Sequence, residues 1–415
     1  MNLIGEIFFP GDKSISHRSL MFAALCNGKS RIFNLSTGKD VQSTKNCLIK
    51  CGIKIYNEKS SYIVEGGKFK NPKKELDCGN SGTTARLLSG LLSGQNINAT
   101  FIGDESLSNR PMKRIIEPLK LMGLNCSSKN FTLPLKIKSS KLNGINYKSQ
   151  IASAQVKSAV LLAALGSNKP TSFIEPVLSR NHTEIMLKAI GVPIKSEKLK
   201  TTISKITKKL KPFDFNVPGD PSSAAFFAGA ASMVENSNLV LKNISGNKTR
   251  LGIFSILKQM GATVLKTNKR NILGEEIIDI TIKNKRLNGI KINKNQIPSI
   301  IDEIPIIAIV ASQAKGQTKI TGAKELRYKE SDRISSIVFN LKKMGADITE
   351  LEDGMIINGP KKLKGALIKT YHDHRIAMAF EIASLVADGA NQLDSIDCVD
   401  ISYPEFFETL KKITQ

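Results

Sequence analysis

One phrase recurs along the chain at nearly constant spacing. It reads CLIKCG (47–52), PLKLMG (118–123), MLKAIG (186–191), ILKQMG (256–261) and NLKKMG (340–345), with a shortened copy, TLKKI (409–413). The shared leucines are Leu48, Leu119, Leu187, Leu257, Leu341 and Leu410, so the period is about 70 residues. Each copy reads as the end of an amphipathic helix stopped by glycine, and the first five run into an extended segment. A second phrase alternates with the first. A small or polar cap precedes an apolar run at 13–25, 81–92, 153–165, 219–231, 302–314 and 373–385. These runs are Ala-rich and have no polar face, which predicts buried helices. Six units, taken as two sets of three, predict an α/β chain of two similar domains, each centred on buried helices. A chain of 415 residues exceeds what one core usually holds.

The polar residues of the second phrase gather at the helix starts. The sets are Lys13/Ser14/Arg18, Asn80/Ser81/Thr83/Arg86, Ser153/Gln155/Lys157, Asp220/Ser222/Ser223, Asp302/Glu303 and Asp373/His374/Arg375. The densest of them lies in PGDKSISHRS (10–19). Taken alone, such a stretch reads first as a capped surface helix and second as an anion site, because helix N-termini favour phosphate. If the helices of a domain run parallel, their starts share one face. Two opposed faces would then hold an anionic substrate, with closure around it. Arg110 in NRPMKR (109–114) and Lys329 and Arg333 in KESDRI (329–334) fit the same cleft. No P-loop and no dinucleotide fingerprint is present.

Composition narrows the classes. The formal charge of +25 suits nucleic acid, acidic membranes or anionic small molecules. Much of it is scattered lysine, and there is no Trp to stack on bases. The six cysteines form no C-x-x-C pair, and the four histidines lack a carboxylate pattern for a metal. The N-terminal residues do not read as a secretion signal, and IPIIAIVA (304–311) is too short to span a bilayer. A soluble, cytoplasmic protein is expected, working on small molecules without nucleic acid or membrane partners.

The motifs PGDKSISHR, GNSGTTARLL (79–88), GDESLSNRPM (103–112), SAQVKSA (153–159), SRNHTE (179–184), VPGDPSSA (217–224), DEIP (302–305), YKESDR (328–333) and DHR (373–375) resemble the EPSP synthase family of enolpyruvyl transferases. The resemblance runs in order over essentially the whole chain. It implies a two-domain inside-out α/β barrel of six βαβαββ units. One domain would span 12–217 on the shikimate 3-phosphate side. The other would span 1–11 with 218–415, complete the phosphoenolpyruvate site and carry the acid/base residues. The implied reaction moves the enolpyruvyl group of phosphoenolpyruvate to the 5-hydroxyl of shikimate 3-phosphate and releases phosphate. It needs no metal or organic cofactor, and a monomer is expected.

By matching motif, the resemblance gives Lys13, Ser14, Arg18, Ser153, Ala154, Gln155, Ser179, Arg180, Asp302 and Lys329 to shikimate 3-phosphate. It gives Lys13, Gly82, Arg110, Gln155, Arg333 and Arg375 to phosphoenolpyruvate. Asp302, Glu330 and Lys13 are the implied catalytic set, and His374 has at most a positioning role. Two departures bear on this set. Many members carry two serines before the glutamine, where this chain has Ser153 and Ala154. Many carry a lysine near the C-terminal Tyr/Phe-Pro, where DISYP (400–404) has Ile401. The sister enzyme that acts on UDP-N-acetylglucosamine would place a cysteine in a mobile Gly-rich loop. The nearest cysteine here, Cys126, follows a helix end. A basic nucleic-acid-binding protein is the remaining alternative from another class.

Overall fold

A computed structural model describes residues 2–414. The chain is a mixed α/β protein in which one sheet pattern is used five times. The strand orders are equivalent: one strand pairs in parallel with the strand that follows the apolar helix, and an antiparallel hairpin completes the row. In one example, Leu76–Asp77 lies beside Ala99–Ile102, which pairs with Leu135–Lys138, which pairs with Asn125–Ser128. The sixth repeat differs. Its second helix, Phe406–Ile413, lies at the C-terminal edge of the described residues, and no closing hairpin follows it there. Its strands form only short parallel ladders, Leu363–Lys364 with Ala387–Asp388 and Leu367–Ile368 with Gln392–Leu393. Among the described residues the sixth repeat shows the βαβα part of the implied βαβαββ unit.

The two phrases become two kinds of helix. The apolar runs form Lys13–Leu25, Gly82–Gly94, Ala154–Ala164, Pro221–Met233, Ile304–Gln313 and His374–Ser384. Five of the six are capped by a side chain that accepts a backbone N–H of the first turn: Asp12, Ser81, Ser153, Asp220 and Asp373. Such caps satisfy donors that a buried helix end would otherwise leave unmet. Glu303 stands at the equivalent place in the fifth but makes no cap bond. The other phrase forms the amphipathic helices, and Gly52, Gly123, Gly191, Gly261 and Gly345 follow them with φ of 87°, 96°, 95°, 115° and 85°. This left-handed conformation is easy only for glycine, which explains why the phrase ends in one.

Contacts divide the chain into two compact units. One comprises Gly11–Val217 with Asn271–Glu275. The other comprises the described residues up to Pro10, Pro218–Arg270 and the chain from Glu276 onward. Each has its own apolar core. The assignment of two strands shows how the repeat is threaded. Ile4–Phe8 precedes the first apolar helix but pairs with Asn238–Ser245 of the fourth repeat. Asp214–Asn216 precedes the fourth apolar helix but pairs with Gly28–Phe33 of the first.

In the second unit the Pro221–Met233 helix carries Phe226 and Phe227 into an aromatic cluster with Phe9, Tyr403 and Phe406, ring centroids 5.5–6.3 Å apart. This cluster ties residues from two distant stretches of chain to one helix. Each ring pair adds about 0.5–1.5 kcal/mol beyond its buried area. In the first unit the Gly82–Gly94 and Ala154–Ala164 helices touch backbone to backbone. A Cβ on Gly90 would lie 2.1 Å from the Ala159 carbonyl oxygen.

Two expectations follow. Gly90→Ala should destabilise the protein by about 2–3 kcal/mol in urea unfolding, because the helices must part; a loss under about 0.5 kcal/mol would contradict the packing. The second concerns His17, buried on the Lys13–Leu25 helix with Nδ1 2.6 Å from Thr44 Oγ1. Burial, with Lys13 and Arg18 nearby, holds its pKa well below the ordinary 6.5. Below pH 6.5 the unfolded chain therefore binds a proton that the folded protein refuses until the pH reaches its own lower value. Stability should fall through that window by up to about 1.4 kcal/mol per pH unit. His17→Gln should flatten this slope, and an unchanged slope would remove His17 as its source.

Candidate active site

Of the sequence-predicted residues of the Gly11–Val217 unit, Lys13, Ser14, Gly82, Ser153, Ala154 and Gln155 lie at helix starts, while Arg110, Ser179 and Arg180 lie in loops. Lys13 opens its helix, and its Nζ lies 3.0 Å from Asp40 Oδ2, on the neighbouring Lys39–Lys50 helix. Arg18 is 3% exposed. Its Nε donates to Thr183 Oγ1, its Nη2 to Ser158 Oγ and its Nη1 to the Ser14 carbonyl, each at 2.8 Å. Three of the five guanidinium N–H groups are thus fixed, which leaves one on each terminal nitrogen for a ligand. Burial pulls the Arg18 pKa down to about 10 against the pull of Glu184 and Asp12, and Arg180 is close enough to lower it further. The group stays cationic at neutral pH.

Ser153 accepts the Val156 N–H as helix cap, so its own hydroxyl proton remains for a ligand. Ala154 offers only its backbone. Ser179 differs: its hydroxyl donates to Glu175 Oε2 at 2.6 Å. That proton is committed to a carboxylate, so Ser179 can present only its lone pairs or its backbone to an anion. Lys157 is also turned inward. It is 1% exposed, with Nζ 2.7 Å from both Glu175 and Glu184. It braces the wall behind the site, because a buried ammonium must be paired.

Around Gly82 the groups converge from three stretches of chain. Gln155 Nε2 donates to Thr83 Oγ1 at 3.1 Å, and Gln155 Oε1 accepts from Arg86 Nη1 at 2.6 Å. Arg110 Nη2 donates to Asn80 Oδ1 at 2.7 Å and to Ser106 Oγ at 3.1 Å. The loop that holds Asn80 therefore aims Arg110.

The other unit gathers a second cluster around Asp302 and Arg333. Arg333 opens the Arg333–Lys343 helix and is 1% exposed. Its Nε and Nη2 donate to the two oxygens of Asp373 at 2.8 and 3.2 Å, and Nη2 also donates to Glu330 Oε2 at 2.6 Å. Its Nη1 lies 3.4 Å from Asp302 Oδ1. Burial alone would lower the Arg333 pKa, but Asp373, Glu330 and Asp302 outweigh it and push it above the ordinary value. For Asp373 burial acts upward, Arg333 more than offsets it, and the carboxyl sits below its ordinary value. Both groups stay charged.

Asp302 meets two further cations. Lys329 Nζ is 3.3 Å from Oδ1, and Arg375 donates from Nη1 to the Asp302 carbonyl at 2.9 Å. His374 is buried beside Asp373 at the start of its helix. Ile401 packs against the apolar core of this unit, so no cation stands there.

Several supporting residues carry no recognisable signal in the sequence. Asp40 holds Lys13, but in GKDV (38–41) it reads as an ordinary first-turn acid. Arg250 donates from Nη2 to Asp220 Oδ1 at 2.7 Å and to Ser222 Oγ at 2.8 Å, and Ser222 in turn donates to Glu303. This bond occupies the Glu303 side chain elsewhere than at the cap. Cys126 lies on the Asn125–Ser128 strand, and burial pushes its thiol up. That is opposite to what a reactive thiol requires. Among the described residues no group of three or more His, Cys, Asp or Glu could hold a metal ion, and no helix is long and apolar enough to cross a membrane.

The family model described as EPSP synthase (3-phosphoshikimate 1-carboxyvinyltransferase) matches residues 1–410. A relative from Sulfurihydrogenibium sp., named 3-phosphoshikimate 1-carboxyvinyltransferase, is 46% identical over 99% of this chain and 97% of its own length. One of the same name from Oceanobacillus iheyensis is 48% identical over 99% and 97%. The solved EPSP synthase from Acinetobacter baumannii superimposes with a TM-score of 0.89 at 42% identity, covering 99% of this chain and 96% of that one. Agreement over the full length of both partners leaves no room for a shared fragment alone: the chain belongs to the EPSP synthase (3-phosphoshikimate 1-carboxyvinyltransferase) family.

Proposed function

We propose that this chain transfers the enolpyruvyl group of phosphoenolpyruvate to the 5-hydroxyl of shikimate 3-phosphate, a step of the shikimate pathway towards chorismate and the aromatic amino acids. The observation that carries the assignment of roles is the Asp302 carboxylate, set among Lys329, Arg333 and Arg375, with Glu330 on the same Arg333. Chemistry on two anionic substrates needs fixed cations for charge and carboxylates for protons.

In this reading Lys13, Ser14, Arg18, Ser153, Gln155, Ser179, Arg180 and Lys329 bind shikimate 3-phosphate, with Ala154 contributing backbone. Lys13, Gly82, Arg110, Gln155, Arg333 and Arg375 bind phosphoenolpyruvate. Asp302 accepts the proton of the 5-hydroxyl as its oxygen attacks C2 of phosphoenolpyruvate. Glu330 handles the proton that adds to the methylene carbon, giving a tetrahedral phosphate ketal. Loss of a proton from the resulting methyl group then expels phosphate and restores the alkene. Lys13 neutralises phosphate oxygens through both halves, and His374 positions its neighbours. We read the fold as a two-domain inside-out α/β barrel divided near residues 12 and 217. The five equivalent sheets and the apolar helices packed against one another support this. We also propose a cytoplasmic monomer without metal or organic cofactor and without nucleic-acid partners.

Phosphate should appear only when shikimate 3-phosphate and phosphoenolpyruvate are both present, with no metal added. Release with UDP-N-acetylglucosamine in place of shikimate 3-phosphate would instead point to the sister activity. Lys13→Met, Asp302→Ala and Glu330→Ala should each fold, as judged by circular dichroism, and lose about 100-fold or more in kcat. Near-wild-type turnover in all three would overturn the assignment of the catalytic groups.

A further inference from the structure

Gln155 is placed above on both substrates, yet a glutamine amide is nearly symmetric in shape and can present oxygen or N–H to a ligand. Its two ends have opposite effects on an anion. We infer that Arg86 is a positioning residue that fixes which end faces the substrates, and that its guanidinium packs over Gly82. This rests on the reading of Gln155 as a substrate contact.

The argument begins with donors and acceptors. Arginine has five N–H donors and no acceptor. Arg86 Nη1 lies 2.6 Å from the Gln155 amide, so the atom that faces it must be Oε1. The acceptor end of Gln155 is thereby committed to the protein. The donor end then faces Thr83 Oγ1 at 3.1 Å, which uses one of its two hydrogens. The second N–H is left to donate to phosphate or carboxylate oxygen. With the amide reversed, Nε2 would meet the guanidinium donor to donor, and Oε1 would meet the anionic substrates. Arg86 raises the cost of that reversal, and its charge strengthens the bond that prevents it.

Independent geometry ties Arg86 to Gly82. A Cβ on Gly82 would lie 2.8 Å from Arg86 Nη1 and 3.5 Å from Cζ. An alanine there would push the guanidinium aside. Arg86 Nη2 also donates to the Pro111 carbonyl at 3.4 Å, so one side chain spans the helix start, the Arg110 loop and Gln155. Arg86 thus acts through Gln155.

The test combines kinetics with a spectroscopic readout that does not depend on turnover. With glutamine side chains labelled with nitrogen-15, the Gln155 amide signal is identified by its loss in Gln155→Ala. Arg86→Met and Gly82→Ala should both shift it in the ligand-free protein, and Arg86→Lys should bring it back towards the wild-type position. In kinetics, Arg86→Met should lower kcat/KM by roughly 10-fold or more. In a Gln155→Ala background the same change should cost less than about threefold. An unmoved amide signal, or an Arg86→Met penalty equally large with and without Gln155, would overturn the proposal. A shifted signal in a wild-type protein that releases no phosphate would leave the positioning role standing and remove the reading of the reaction.

Discussion

A helix with no polar face can show polar atoms only at its ends. That constraint organises this protein. The six apolar helices are sealed along their length by neighbouring helices and strands. Their first turns are where charged groups can stand without being buried in hydrocarbon. Free N–H groups and the positive end of the helix dipole already favour anions there. Lys13, Gly82, Gln155 and Arg375 are all first-turn residues of such helices, and Asp302 lies just before another. Chemistry repeats along the chain because the permitted position repeats.

The charged groups solve a desolvation problem in two ways. Lys157 with Glu175 and Glu184, and Arg250 with Asp220, are closed sets whose partners are all protein. They fix backbone and neighbours. Arg18 is partly paired: protein holds three of its N–H groups, and one remains on each terminal nitrogen. Arg333 is an intermediate case: Asp373 takes two of its donors, and Asp302 and Glu330 stand at the remaining end. Clamping the guanidinium from behind means that little side-chain entropy is left to lose on meeting a ligand. That is the physical content of a preorganised site.

Much of this was legible in the sequence, and the reason differs by residue. The LKxxG phrase was readable because a left-handed glycine is needed at one place in each copy. The apolar runs were readable because a polar face was missing. A repeat in sequence says nothing about the extent of each sheet: the described residues of the sixth copy pair only in two-residue parallel ladders. Asp40, Arg250 and the Arg86–Gln155 bond were not legible as supports. Each meets its partner across 27 to 69 residues of chain, and no local pattern encodes such a distance. Ser179 shows another limit: its motif marks it for the site, but only geometry reveals that its proton already belongs to Glu175.

The parallel pairing of Ile4–Phe8 with Asn238–Ser245 has a consequence for synthesis. The strand leaves the ribosome long before its partner, which emerges more than two hundred residues later. Residues 11–217, by contrast, already contain nearly all of the first unit, including the Asp214–Asn216 strand that completes its first sheet. That unit can condense while the leading strand still has no edge to join. The leading strand must stay unpaired through the interval, and an unpaired strand is a template for the wrong partner. Ile4 and Phe8 point outward even in the finished protein, at 58% and 65% exposure. Folding on the ribosome is therefore an ordered wait: one half closes early, and a strand made before it is among the last to find its place.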